Sequence, residues 1–147
     1  MKNIQHSIEI NASKEKVWDV LWSDQTLRDW ASIIDEGTYM EGKLEEGNKI
    51  YFISSVNGYG VASRVEKLIV FNHVSLRHIA DIKVAKDGTI EERDKQWTGG
   101  MESYKLEEID GKVTLSVTQD VPLELVEYFE TKFPKALERI KVLAGTK

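Results

Sequence analysis

The chain contains no cysteine, which excludes disulfides, thiolate catalysis and cysteine-ligated zinc and fits a reducing compartment. Its two prolines and ten glycines are scattered, so no low-complexity tract, repeat or flexible linker interrupts it. No stretch approaches the ~20 consecutive apolar residues that span a bilayer. No excess of positive charge is present either: the formal net charge is -5 and the pI about 5.3, so nothing draws the whole molecule to nucleic acid or anionic lipid. Residues Met1 to His6 lack the apolar segment and small-residue cleavage site of a secretory signal. The cytoplasm is the expected location. With 147 residues, 41% hydrophobic and 31% charged, the composition is that of an ordinary globular protein, and the length suits one domain over 1–147 with roughly 70% of its unfolded surface buried.

The pattern that is present begins with an alternating strand. Ile4, His6, Ile8 and Ile10 share one face of a period-2 segment and Gln5, Ser7 and Glu9 the other. Asn11-Ala12-Ser13 breaks it, and Ser13 is placed to cap a helix over Lys14 to Trp22 that buries Val17, Trp18 and Leu21. A second short helix, capped by Ser23 or Asp24, carries Leu27 and Trp30 and stops at Asp35-Glu36-Gly37. Strand-like runs follow at Gly37 to Glu41, Asn48 to Ser54, Gly60 to Lys67 and Asn72 to Ile79, joined by segments too short for helical crossovers, which predicts antiparallel pairing. Lys86-Asp87-Gly88-Thr89 reads as a hairpin tip, the mixed-sign run Lys83 to Lys95 as a solvated hairpin, and Asp110-Gly111 as a turn between strands near Met101 to Glu108 and Lys112 to Thr118. That makes about seven strands. From Pro122 the period changes: Val126, Phe129, Phe133, Leu137, Ile140 and Ala144 recur at helical spacing, with Pro134 predicting a bend and Gly145 a C-cap. A curved sheet around one long helix is a container.

Few residues carry recognisable chemistry. His73 and His78 lie in one predicted strand with their side chains on opposite faces, His6 stands alone, and no metal-ligand spacing occurs. No metal or cofactor is expected. His6 and His78 read either as polar spots on a cavity wall or as half-exposed, locally satisfied histidines. Glu102, Tyr104 and Leu106 share a strand face, and Leu106 argues that this face is inward. An inward carboxylate beside a phenol can orient a ligand hydroxyl or act as a general base. The alternative is a Glu102 near the strand end, solvated or paired with Arg77 or Arg93. A strict two-residue Asp87-Gly88 turn would set Leu76 opposite Gly99 and turn Glu102 outward, so a one-residue bulge at Gly99-Gly100 is expected. Trp18, Trp22 and Trp30 suit core packing, and Trp97 either lines a cavity mouth or shields a hairpin. Gly58-Tyr59-Gly60 lacks the remainder of a phosphate-binding loop, and no nucleophile elbow occurs.

Ile8-Glu9-Ile10-Asn11-Ala12-Ser13-Lys14-Glu15-Lys16-Val17-Trp18-Asp19-Val20-Leu21, Leu27-Arg28-Asp29-Trp30, Tyr104-Lys105-Leu106-Glu107-Glu108 and Phe133-Pro134-Lys135-Ala136-Leu137 together resemble the START-like helix-grip (SRPBCC) superfamily. Within it, the branch named after the activator of the heat-shock protein 90 ATPase is the most similar. The resemblance covers nearly the whole chain. It implies an α+β helix-grip fold: a seven-stranded curved antiparallel sheet wrapped around a long C-terminal helix, two short helices after strand 1, and an apolar cavity between sheet and helix. It transfers no catalytic motif.

These readings favour a protein that holds a small hydrophobic molecule between sheet and C-terminal helix, with His6, Trp30, Phe52, His78, Trp97, Glu102, Tyr104, Phe129 and Phe133 as candidate cavity residues. A cyclase, dehydratase or hydrolase acting on an aromatic or polyketide-like substrate is the alternative, with Glu102, Tyr104 and His78 as acid and base groups. The branch name implies a third, a co-chaperone stimulating a heat-shock protein 90 ATPase, although such activators carry an additional binding domain. Neither nucleic acid nor membrane insertion is expected, and nothing in the sequence names a protein partner.

Overall fold

In the computed structural model, residues 1–93 and 95–145 are described; Asp94, within the charge-rich run, lies outside them. Strand β1 (Lys2–Ile10) leads into helices α1 (Lys14–Trp22) and α2 (Asp24–Ala31). Strands β2 (Thr38–Glu41), β3 (Lys49–Ser54), β4 (Tyr59–Ile69), β5 (His73–Val84), β6 (Ile90–Glu92), β7 (Met101–Ile109) and β8 (Lys112–Val121) follow. A 3-10 turn at Leu123–Leu125 then opens α3 (Val126–Gly145). The sheet runs β1-β8-β7-β5-β4-β3-β2, seven strands in one antiparallel path, with three-residue β6 paired to the outer end of β5. This is the α+β helix-grip architecture.

Local chemistry accounts for the boundaries. Ser13 stands at the N-cap of α1 in extended geometry, and its hydroxyl accepts from the Lys16 amide at 3.1 Å, satisfying one of the free donors of the first turn. Asp110 and Gly111 both have positive φ (53° and 76°), the requirement of the two-residue turn that joins β7 to β8 with their right-handed twist. Gly60 has a different reason to be glycine: a Cβ there would stand 2.0 Å from the Phe52 carbonyl oxygen of β3. Helix α3 continues through Pro134, which is exposed, so the missing amide costs one ladder bond on the solvent side.

The principal core lies between the concave face of the sheet and the helices. Ile10, Leu21, Leu27, Ile50, Leu76, Leu115 and Ile140 are fully enclosed there. On α3 the expected apolar stripe is buried at Phe133, Leu137, Ile140 and Ala144, but Val126 and Phe129 remain half-buried. The last three turns of the helix grip the core, and its first turns roof a hollow. A second cluster of Ile53, Ala62 and Ile82 occupies the opposite side of the sheet, Ile53 alternating with the inward Phe52.

Candidate functional site

Between the roof of α3 and the sheet lies a cavity of about 590 Å³, within the range of roughly 300–1,000 Å³ of small-molecule sites. Its walls come from α2, from β3 to β5, from the segment after β6, from β7 and β8, and from the start of α3. Trp30, Phe52, His78, Trp97, Glu102, Tyr104, Phe129 and Phe133 all line it. His6 does not. It points inward from β1 but meets Phe133, whose ring stacks on it at 5.7 Å and 21° and screens it from the hollow. There its Nδ1 has no hydrogen-bond partner, and burial lowers its proton affinity against the opposing charge of Glu130.

Three polar side chains converge on the floor. Val74 pairs with Tyr104 and Leu76 with Glu102, so Glu102 and Tyr104 face inward, beside His78 on β5. The Tyr104 hydroxyl donates to Glu102 Oε2, and Glu102 Oε1 stands 3.6 Å from His78 Nε2. On its other side His78 Nδ1 is 2.7 Å from Ser63 Oγ. Glu102 and Ser63 thus face the two ring nitrogens from opposite sides, Ser63 within hydrogen-bond distance and the Glu102 carboxylate just beyond it. Burial depresses the proton affinity of His78, opposed by the charges of Glu102, Asp120 and Asp81, while burial and Glu102 together raise the Tyr104 phenol well above its usual range. The ion pairing weighed for Glu102 is absent: Arg77 reaches Glu66 at 3.3 Å, and Arg93 reaches Glu91 at 3.5 Å.

The inward setting of Glu102 rests on more than the expected bulge. The hairpin tip is a three-residue loop closed by the Ala85 amide on the Thr89 carbonyl at 2.8 Å, with Gly88 at positive φ. A bulge falls beside Ile79, where Ala62 pairs with Ala80 but Ser63 pairs with His78. Opposite this bulge the chain leaves the sheet after Glu92, which pairs with Ile82, and returns at Met101, which pairs with Arg77. Gly99 and Gly100 form the expected bulge, two residues against one: the Gly99 amide, at positive φ, donates to the His78 carbonyl at 2.9 Å, and the His78 amide donates to the Gly100 carbonyl at 2.8 Å; this bulge ends a longer excursion. It is tied down by Thr98 Oγ1 donating to the Ile79 carbonyl at 2.7 Å and by the Trp97 amide donating to Asp81 at 3.1 Å.

That excursion places Trp97 across the end of the cavity, its ring 5.5 Å from His78 and 5.4 Å from Phe129. Trp30 performs two tasks. Its indole N–H is shared between the Val20 and Leu21 carbonyls at 3.3 and 3.2 Å, fixing α2 to α1, while its ring tilts against Tyr104 at 6.4 Å. Trp22 meets the same phenol edge-on at 5.1 Å. At the mouth, Tyr128 on α3 donates to the Ile34 carbonyl and Gln96 donates to Glu124. Farther along α3, Arg139 grips Asp29 of α2 with two bonds of 2.7 and 2.9 Å, holding the Asp29 carboxyl below its usual range.

Several lining residues were not singled out by the sequence, among them Ser54, Asp81 and Gln119. Gln119 leaves a legible trace: in Val113, Leu115, Val117, Gln119, Val121 it is the one polar residue on the buried face of β8. It is 4% exposed, and its Oε1 has no partner. Among the described residues no cluster of His, Asp and Glu has the arrangement of a metal site, and no helix is long and apolar enough to cross a membrane.

No family model and no curated protein matches this sequence. Solved structures do. The Aha1 dimer from Colwellia psychrerythraea is similar at a TM-score of 0.73 and 24% identity, over 99% of this chain and 97% of that one. Protein MLL2253 from Mesorhizobium loti is similar at 0.72 and 12% identity, over 97% and 96%. DynU16, a protein of the dynemicin biosynthetic locus, is similar at 0.69 and 12% identity, over 96% of this chain and 46% of that one. The fold is thus the START-like helix-grip fold. At these identities the likeness is one of fold, and a fold of this kind does not fix an activity.

Proposed function

We propose that this protein binds a small, mostly apolar molecule in the cavity between its sheet and C-terminal helix, and that it does so in the cytoplasm. The observation that carries the reading is the hollow of about 590 Å³ walled by aromatic side chains between the sheet and α3. A hollow of this size lined by aromatic rings offers an apolar guest dispersion contacts on several sides. Titration with the neutral dye N-phenyl-1-naphthylamine, followed through the indoles of Trp30 and Trp97, is expected to saturate at one site. Absence of saturable binding for this dye and for aliphatic alcohols would reject the reading.

The convergence of His78, Glu102 and Tyr104 favours a second reading, an acid–base enzyme acting on an aromatic or polyketide-like substrate. DynU16, a structural neighbour, is a protein of a biosynthetic locus. In this reading Glu102 accepts a proton and Tyr104 or His78 polarises a carbonyl, as their mutual contacts allow. Turnover lost in Glu102→Gln with dye binding retained supports it. Likeness to a structure named Aha1 keeps a co-chaperone role as a third proposal, tested by stimulation of a heat-shock protein 90 ATPase.

A further inference from the structure

Within the ligand-binding reading, on which this inference rests, we propose that the cavity selects apolar molecules bearing an amine and discriminates against apolar carboxylates. The first argument is the sign of the walls. Asp81 and Glu102 line the hollow and Asp35 its exposed rim, with one cation, Arg93, and no lysine. Arg93 belongs to the rim: its side chain is 52% exposed and lies 3.5 Å from Glu91. Glu102 sits on the floor, its side chain 15% exposed. Its neighbours are a phenol hydroxyl and an imidazole whose proton affinity burial lowers. A carboxylate taken out of water without a full positive charge beside it is costly, and truly buried charges are paired. Here the cavity itself leaves the position for that charge open.

Gln119 supplies an independent argument. It pairs across the sheet with Glu102, lines the same floor and keeps Oε1 without a partner at 4% exposure. Buried acceptors seldom go unsatisfied, and turning the side-chain amide offers this one to a ligand donor. The ammonium group brings up to three N–H donors as well as the charge. Around the floor, Trp97, Phe129 and Tyr104 present aromatic surfaces, which attract cations and not anions. A fatty acid of the same chain length would set its carboxylate against Glu102 with none of these compensations.

The test compares three probes of one chain length, dodecylamine, 1-dodecanol and dodecanoate, each displacing N-phenyl-1-naphthylamine from the intact protein at pH 7.5. Because like-charge juxtaposition is strongly unfavourable, dodecylamine is expected to bind at least about tenfold more tightly than dodecanoate, with dodecanol between them. Glu102→Gln is expected to cut the amine-to-carboxylate ratio at least about threefold, Asp35 and Asp81 still lining the hollow. Dodecanoate binding as tightly as dodecylamine in the unaltered protein overturns the inference and leaves the ligand-binding reading intact. So does an unchanged ratio in a folded Glu102→Gln variant. If dye and dodecanol both fail to bind, the cavity reading falls and the inference with it.

Discussion

Acidification provides a sharp test of the His78 environment. The imidazole is 3% exposed, and desolvation pulls its proton affinity below the ordinary value of 6.5 despite Glu102, Asp120 and Asp81 nearby. In the unfolded chain it returns to about 6.5. Between the two values the unfolded state holds a proton that the folded state does not, so folding stability is complete above pH 6.5 and falls as the pH drops through it. The loss levels off once the pH passes below the folded value. Per pH unit inside that window one such group costs up to about 1.4 kcal/mol. His6 and His73 are shifted in the same direction by burial, but both are only half-buried, so His78 should dominate. Urea unfolding at pH 7.5, 6.5 and 5.5 should therefore show the unaltered protein losing stability as the pH falls, by no more than about 1.4 kcal/mol per pH unit from this group. The His78→Asn variant, whose amide can still accept from Ser63, should be less stable at pH 7.5 but flatter with pH. Parallel pH profiles for the two proteins would refute the assignment, as would a rise in stability on acidification.

Other positions make simpler demands. Gly60→Ala drives a methyl group into the Phe52 carbonyl of β3, 2.0 Å away, and β3 and β4 must separate; a loss of about 3 kcal/mol or more in urea unfolding is expected, since overpacking against backbone cannot relax through a rotamer. Trp30→Phe keeps the ring but strands the Val20 and Leu21 carbonyls, costing about 1 kcal/mol in the same assay. Ser13→Ala removes the cap of α1 and should cost about 1 kcal/mol. Arg139→Ala breaks a bidentate pair whose side chains are 41% and 35% exposed, so its effect should stay below about 1 kcal/mol and shrink further in high salt.

Much of the architecture was legible because its signals are local. The period-2 face of β1, the Ser13 cap, the Asp110-Gly111 turn and the helical spacing from Val126 to Ala144 each speak for themselves. Pairing across the β5–β6 hairpin was less legible, because the parity of Glu102 depends on the length of the tip loop, on a bulge at Ile79 and on the excursion that carries Trp97. No short window of sequence records those three together. His6 shows the converse limit: its inward orientation was readable, whereas its separation from the cavity by Phe133 depends on contact between residues at opposite ends of the chain. Gln119 was overlooked because the expected strand stopped at Thr118, one residue short of the polar interruption that marks the floor.

The pairing of Lys2 with Val121 has a consequence for the order in which the molecule can assemble. As the chain leaves the ribosome, β1 emerges first but has no strand to join until β8 is made, while β2 to β5 lie close enough in sequence to pair in succession. Contacts between distant segments are formed late and slowly because the intervening loop must first be closed. During that interval the apolar face of β1 and the free rim of the growing sheet lack their final partners, a state prone to association with other chains. The hollow comes into being only at the last step, when β8 completes the sheet and α3 closes over it. A ligand can therefore stabilise the finished protein but cannot template its early folding.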